Sequence, residues 1–492
     1  MRYFSRAYGT CFESLQVFPP LKSLLRNSIE TLDAAAKSEK MRAGAEHNRM
    51  AYIQGVGRTQ GTLFPVMLEE LIPADHVCRV IDAFVGGLEM EQLGFVRAEA
   101  AETGRPGYDP RDLLRLYWYG YLYQIRSSRR LEAECQRNLE VMWLLGRLAP
   151  DHKSIAEFRR MHREAVTEAG AELIRFARAV GLVRGEWVAI DGSKFGAVSS
   201  RRSVHERQAL ERYWERLEQA DAEEEVEIDP AAVAAALEKL RQHAEPEARF
   251  MRTASGGKVP AYNVQIAVEA EHALIVAQQV STEANDTRSL QPMAEAAQPA
   301  VSQAGARLHA VADAGYSNGA QAEACEQQGI EPHVPAQRSV NHRGDGTLFD
   351  RTEFHYDEAS DTFQCPAGQR LHRHQKKDRC IVYAGPREIC QACPLQSRCT
   401  VGPRRLLKRH LHEAALDRMQ RRATPDAMRL RRALAEHPFA ALKYHIFGHP
   451  RFLLRGLKGA QTETSLAILV YNLKRMIRLV GARTLSQGLA TA

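Results

Sequence analysis

Val188-Ala-Ile-Asp-Gly-Ser-Lys-Phe195 and Leu308-His-Ala-Val-Ala-Asp-Ala-Gly315 decide how this chain is read. Each is a short apolar run that reaches an aspartate with a glycine close behind, the pattern by which a buried strand delivers a carboxylate to the edge of a sheet. Between them, Tyr262–Val268 and Ala273–Val280 read as two strands joined by a tight turn, and Asn285-Asp286 can cap a following helix. A further helix and a fifth short strand, Ile330–Val334, come after the second aspartate. The order strand, strand, strand, helix, strand, helix, strand predicts an α/β core built on a mixed sheet. Residues 200–245, within a segment bounded here as 200–250, interrupt it with charged helical sequence restarted at Asp229-Pro230, and read as an inserted helical hairpin.

Upstream, Pro65–Ala165 has helical periodicity. Asp109-Pro110 supplies an N-cap and a first-turn proline. A second helix near Arg130 places Leu131, Cys135, Leu139 and Met142 on one face. Ser154-Ile-Ala-Glu157 has the form of a capping box, and the helix it opens carries Arg159, Arg160, His162 and Arg163. Two helices around a short turn suit a helix-turn-helix that presents Arg159 and Arg160 to DNA; the alternative is a plain hairpin with a solvated basic face.

A chain of 492 residues with 44% hydrophobic and 26% charged residues has room for about three domains. It contains no run of the roughly 20 apolar residues that a bilayer-spanning helix needs. Lys and Arg exceed Asp and Glu by 67 to 60, so the location of the charge matters more than its total. Residues 1–49 read as a basic, poorly ordered extension, with Met50 as an alternative start. Five of the nine cysteines fall between Cys365 and Cys399, unlike a disulfide framework, so a reducing cytoplasm is expected.

Carboxylates far apart in sequence can converge on Mg²⁺, which takes oxygen ligands, and two such ions about 4 Å apart stabilise both oxygens of a phosphodiester displacement. Asp191 and Asp313 are candidates because each sits at the end of an apolar strand, where neighbouring strands of one sheet would bring them close. The third is Glu436, in Arg432-Ala-Leu-Ala-Glu-His-Pro-Phe-Ala-Ala-Leu-Lys443, where helical spacing puts Arg432 and Lys443 on the same side as the acid. Pro438 marks a helix start or kink, and Glu463 is the fallback ligand. Cys390-Gln-Ala-Cys393 with Cys399 and Cys365 suits a structural Zn²⁺ site, Cys380 being the substitute ligand; the alternative is reduced thiols packed in a small subdomain. Arg404, Arg405, Lys408, Arg409, Arg421 and Arg422, in a stretch read as helical from 404 to 480, can neutralise phosphates without reading sequence.

VAIDGSKF around Asp191, VADAGYSN around Asp313, RRALAEHPFAALK around Glu436 and YNLKR at Tyr471–Arg475 together resemble the DDE transposases of bacterial insertion sequences, in the branch with a cysteine-rich insertion. PDHKSIAEFRR, Pro150–Arg160, is similar to the helical domain that precedes the catalytic domain there. The resemblance implies an RNase H-like core with Asp191, Asp313 and Glu436 as catalytic ligands of two Mg²⁺ or Mn²⁺ ions. It implies cleavage at terminal inverted repeats, strand transfer into target DNA, and a homodimer in the active complex associated with the nucleoid. The alternatives are an inactive DNA-binding relic or regulator, and a nuclease that never joins strands. The expected layout is a helical DNA-binding domain at 50–175, the catalytic domain at 176–344 and 403–482, and the cysteine-rich insertion at 345–402. The related pattern has a tyrosine where this chain has Arg429, which puts in doubt only the role of that tyrosine.

Overall fold

A computed structural model describes residues 67–96, 107–202, 245–253, 257–301, 307–335, 348–377 and 380–491, with a few positions between 204 and 238. The extension at 1–49 and most of the hairpin at 200–245 therefore lie outside the described residues. The chain divides into two compact units, Met1–Arg79 and Val80–Ala492. In the first, a 3-10 turn at Leu68–Leu71 is held by Arg79, which donates to Glu69 Oε1 at 2.6 Å and to the Pro73 carbonyl at 3.0 Å. All that follows concerns the second unit.

Its N-terminal part is helical. Helix α1 (Pro110–Leu122) starts as its sequence predicts, with the Asp109 side chain accepting from Arg111 N at 2.8 Å and Pro110 in the first turn. It buries Tyr117, Trp118 and Tyr121. Helix α2 (Ser128–Arg137) buries Leu131 and Cys135, then stops. The Asn138 side chain caps a new helix, α3 (Leu139–Leu144), so Leu139 and Met142 do not continue the α2 face. At α4 (His152–Met161) the cap is Asp151, which accepts from the amides of Lys153 and Ser154; Ser154 Oγ donates to the same carboxylate and Glu157 pairs with Arg160. A carboxylate one residue ahead of the helix binds its positive end more strongly than a hydroxyl, so it displaces the expected serine cap. Helix α5 is Arg163–Ala179.

The main sheet contains β1 (Trp187–Gly196), β2 (Arg249–Arg252), β3 (Lys258–Glu269), β4 (Ile275–Ser281), β5 (Leu308–Val311) and β6 (Ile330–His333). Their order is β2-β3-β1-β5-β6, with β4 also on β3. Strands β1 to β4 pair antiparallel, whereas β5 joins β1 and β6 joins β5 in parallel. Parallel neighbours need a crossover, supplied here by α6 (Leu290–Val301) before β5 and α7 (Gly319–Gln327) before β6. Three antiparallel strands followed by two parallel additions make an RNase H-like core. The strand order read from sequence is the one observed, with β2 added.

The cysteine-rich stretch folds into strands. It forms a second, antiparallel sheet of β7 (His355–Asp357), β8 (Thr362–Gln364), β9 (Arg370–Lys377), β10 (Cys380–Ala384) and β11 (Leu406–His410), in simple order. Phe354, Phe363, Leu371, Tyr383 and Leu407 form its core. This sheet reaches past residue 402, so the start of the stretch expected to be helical is strand β11. Helices resume with α8 (Glu413–Arg422) and α9 (Pro425–Ala440); Pro438 lies inside α9, which runs into a π-helical turn at Ala441–Ile446. A proline removes one i→i−4 hydrogen bond, and the widened turn that follows accommodates it.

Helix α10 (Gly456–Val480) packs on α5 and β4, and α11 (Ala482–Thr491) follows it. Among the described residues no helix is long and apolar enough to cross a membrane. Glu463, on α10, is wholly buried. One of its oxygens accepts from Arg126 at 2.9 Å and Tyr121 at 3.3 Å, the other from the amides of Leu453 and Leu454 at 2.6 and 2.5 Å. With both oxygens occupied by the frame, Glu463 has no place as the fallback metal ligand. Removing one partner of a buried ion pair strands the other, at a cost of about 3–5 kcal/mol. Glu463→Ala is therefore expected to lower unfolding free energy by roughly that amount in a denaturant titration; a change within about 0.5 kcal/mol would mean that Arg126 finds water instead.

Candidate active site

Strand register brings the first two acids together. Trp187 lies opposite His309 and Ala189 opposite Val311, so the same offset carries Asp191 to the level of Asp313 just beyond β5. Asp191 is not at the tip of its strand: β3 accompanies β1 to Gly196, but β5 stops at Val311, which opens one flank of β1 beside the aspartate. Asp313 turns out of the sheet and caps a 3-10 turn, its Oδ1 accepting from Gly315 N at 2.8 Å. One guanidinium nitrogen, Arg431 Nη2, donates to Asp191 Oδ1 at 2.9 Å and to Asp313 Oδ2 at 3.4 Å. Both carboxylates therefore converge on one point already held by a cation.

Burial raises the Asp191 carboxyl to a pKa of about 6; Arg431 and the Gly192 amide oppose the rise, and the Asp313 charge adds to it. Beside it, Lys443 Nζ donates to Ser193 Oγ at 2.5 Å over the Phe195 ring, and burial pushes its pKa down. On the other face of β1, Asp286 gathers Asn263 at 2.7 Å, Gln265 at 2.6 Å and Lys194 at 3.1 Å. A Cβ on Gly192 would lie 2.2 Å from Gln265 Nε2 and 2.7 Å from Asp286 Oδ1, so only glycine admits this bracing. Tyr316 donates to the other end of the Gln265 amide. Asp286, expected as a helix cap, is thus a support beneath the site; only strand pairing shows this, because the residues it joins are Lys194, Asn263 and Gln265.

Glu436 lies on the exposed side of α9, and among the described residues it forms no ion pair or hydrogen bond with either aspartate. The buried face of α9 carries Ala427, Leu434, Ala435 and Phe439, with half-buried Arg431 aligned to it. Sequence does not single out Arg431, since among five arginines within twelve positions only packing selects the one that turns inward. Arg432 is exposed.

The other basic candidates divide by burial. Arg159 is 6% exposed, donates to the Arg126 carbonyl at 3.1 Å and lies over the Tyr117 ring, which takes it off the solvated face expected of α4. Arg405 is likewise buried, donating to the carbonyls of Cys399 and Phe349 at 2.6 and 3.1 Å. In both cases the guanidinium satisfies backbone oxygens that the core would otherwise strand. Arg160 is exposed but pairs with Glu157, Arg404 donates to His374, Arg409 stacks on Tyr356 at 4.1 Å, and Lys408 is exposed on β11. Arg421 is exposed, whereas Arg422 pairs with Glu326 at 2.6 Å.

Cys365, Cys390, Cys393 and Cys399 line one small cavity of about 30 Å³ beside the core of the second sheet; Cys380 is not among its lining residues. All are free thiols. Burial raises the Cys399 thiol, and the three other sulfurs add to the rise, which shows that they share its surroundings. The set is not yet closed: among the described residues, the groups of ligand atoms all within 4.8 Å of one another lie elsewhere.

Two hard carboxylates around a point held by a guanidinium fit a divalent cation of the Mg²⁺ type. Between about pH 4 and pH 6 the folded chain holds the Asp191 proton more tightly than the unfolded chain, so stability falls as pH rises through that window. A metal must displace the same proton. Mn²⁺ or Mg²⁺ affinity, measured calorimetrically, is therefore expected to be roughly tenfold weaker at pH 5 than at pH 7; an affinity constant across that range would place the ion away from Asp191.

Two family models match the chain. Residues 66–161 match a family model described as a transposase domain, and residues 239–473 match one described as a transposase DDE domain. A search of curated proteins returns no match. The two models together take in about two thirds of the chain, including Asp313, Glu436 and the strands of the main sheet other than β1, which carries Asp191. A DNA substrate and a transposase activity follow from the family. The chain belongs to the DDE transposases of insertion sequences.

Proposed function

We propose that this transposase cleaves DNA at the ends of its element and joins the freed 3′ hydroxyls to target DNA, through a site built from Asp191, Asp313 and Glu436. The observation that carries the reading is the single guanidinium shared by Asp191 and Asp313, which marks a cation position between two strands. Two Mg²⁺ or Mn²⁺ ions bound there would stabilise charge on the attacking and leaving oxygens of an in-line displacement. Asp191 and Asp313 hold the position from the sheet, and Glu436 completes it from α9 once Arg431 yields its place. Released from the carboxylates, Arg431 is within reach of a phosphate. Arg432 and Lys443, with Arg160, Arg404, Lys408 and Arg409, supply further phosphate contacts that position DNA without reading its sequence. Two copies acting together would bring both element ends to one target, on the bacterial chromosome in the cytoplasm.

Asp191→Asn, Asp313→Asn and Glu436→Gln are each expected to lower metal-dependent cleavage of terminal-repeat DNA by about 1,000-fold, the effect of several kcal/mol at the transition state, while DNA binding persists. Full activity in Glu436→Gln would remove it from the ligand set. Cleavage without joined product in a strand-transfer assay would leave a nuclease, and binding without cleavage in the unaltered chain would leave a regulator.

The cysteine cavity we assign to a structural Zn²⁺ held by Cys365, Cys390, Cys393 and Cys399, drawn inward on binding. Co²⁺-substituted protein should show intense thiolate-to-metal charge-transfer absorption that Cys393→Ser loses. No such band in the unaltered chain means packed, reduced thiols.

A further inference from the structure

Well away from the aspartates, on the same face of the sheet, His309, Glu331 and His333 converge. Strand pairing explains why. Trp187, His309 and Glu331 are register partners across β1, β5 and β6, and His333 follows Glu331 by two residues, the period that returns a side chain to the same face. His309 Nδ1 lies 3.1 Å from His333 Nε2 and 3.4 Å from Glu331 Oε2. One ligand atom from each of the three lies within 4.8 Å of the others. Asp313 is four residues along the strand from His309, about 13 Å at ~3.3 Å per residue, too far to share an ion with this group.

We infer that His309, Glu331 and His333 form a second metal site, for a borderline transition-metal dication such as Zn²⁺, separate from the carboxylate centre. Four observations support it. Two imidazoles and a carboxylate are the donor set such ions favour, and ligands on one tetrahedral Zn²⁺ stand ~3.3 Å apart, close to the two spacings seen. His333 Nδ1 is 2.8 Å from the Arg422 carbonyl, to which it can only donate; its Nε2 then carries a lone pair that faces His309. A metal-ligating histidine characteristically makes that second hydrogen bond. His333 is also buried, 6% exposed, which keeps that lone pair from bulk water. Finally, the Trp187 indole stacks on the His309 ring, centroids 4.4 Å apart and planes 14° from parallel, and fixes its direction.

Without an ion, the His309 Nδ1 proton is shared between His333 Nε2 and Glu331. With one, the His309 ring changes tautomer, its Nδ1 giving up that proton while Nε2 takes one from solvent, and three lone pairs meet the cation. The other oxygen of Glu331 keeps Arg307 at 2.8 Å. The site joins the edge of the sheet to the C-terminus of α8 through the Arg422 carbonyl. Arg422 precedes by only a few residues the helix that carries Arg431 over the aspartates, so the ion would anchor the segment from which α9 approaches the catalytic carboxylates.

Trp187 makes the site testable in the intact protein. Metal-free protein is titrated with Co²⁺, a paramagnetic quencher, while tryptophan emission is followed. Saturable quenching is expected, absent in Trp187→Phe, at least about tenfold weaker in His309→Asn and Glu331→Gln, and retained in Cys390→Ser/Cys393→Ser. Zn²⁺ should compete for it and raise the melting temperature of Cys390→Ser/Cys393→Ser, in which the cysteine cavity is disabled, but not once His309→Asn is added to that variant. No saturable quenching, or quenching that ignores both ligand substitutions while those variants remain folded by circular dichroism, would overturn the site.

Discussion

Repulsion between two carboxylates, and the cation that relieves it, is the constraint around which this molecule is arranged. Parallel pairing of β1 and β5 forces Asp191 and Asp313 to one level, and β5 ends where it must so that both open onto a common space. Like charges so placed need a counterion; burial is the main cause of the raised Asp191 pKa, and the Asp313 charge adds to it. Arg431 occupies the space between them. A side chain on a helix that packs on the sheet supplies that counterion from within the fold.

The surrounding structure braces that arrangement from two directions. Beneath β1, the Asp286, Gln265 and Tyr316 network fixes the strand from the face opposite Asp191, and Gly192 leaves room for it. From the C-terminal side, α10 ties the N-terminal helices to the core through Glu463 and Arg126, whose guanidinium also lies 4.6 Å from the centre of the Phe447 ring. A buried pair of this kind does little for net stability against an apolar substitute but penalises any misaligned docking. The helical N-terminal part is thereby integral to the fold that carries α9.

Buried arginines show how far composition misleads about DNA contact. Arg159 and Arg405 lie in basic stretches, yet both turn inward, stack on an aromatic ring and serve backbone carbonyls. Their exposed neighbours Lys408 and Arg432 keep the charge in solvent, and Arg160 pairs there with Glu157. A run of like charges therefore contains both structural and solvated members, and only packing sorts them.

Local sequence by itself determined the elements: apolar runs of strand length, the Asp109-Pro110 helix start, the strand and helix order of the core, and the two aspartates in their strand contexts. These are written in near neighbours, so periodicity and capping chemistry suffice to read them. Tertiary structure alone decided that Asp191 sits within its strand, that Asp151 caps α4, that residues 406–410 form a strand, that Arg431 and not Arg432 meets the aspartates, and that His309, Glu331 and His333 meet at all. Each of these depends on which strands pair and where a neighbour stops. That is set by long-range burial and register, which no window of sequence contains.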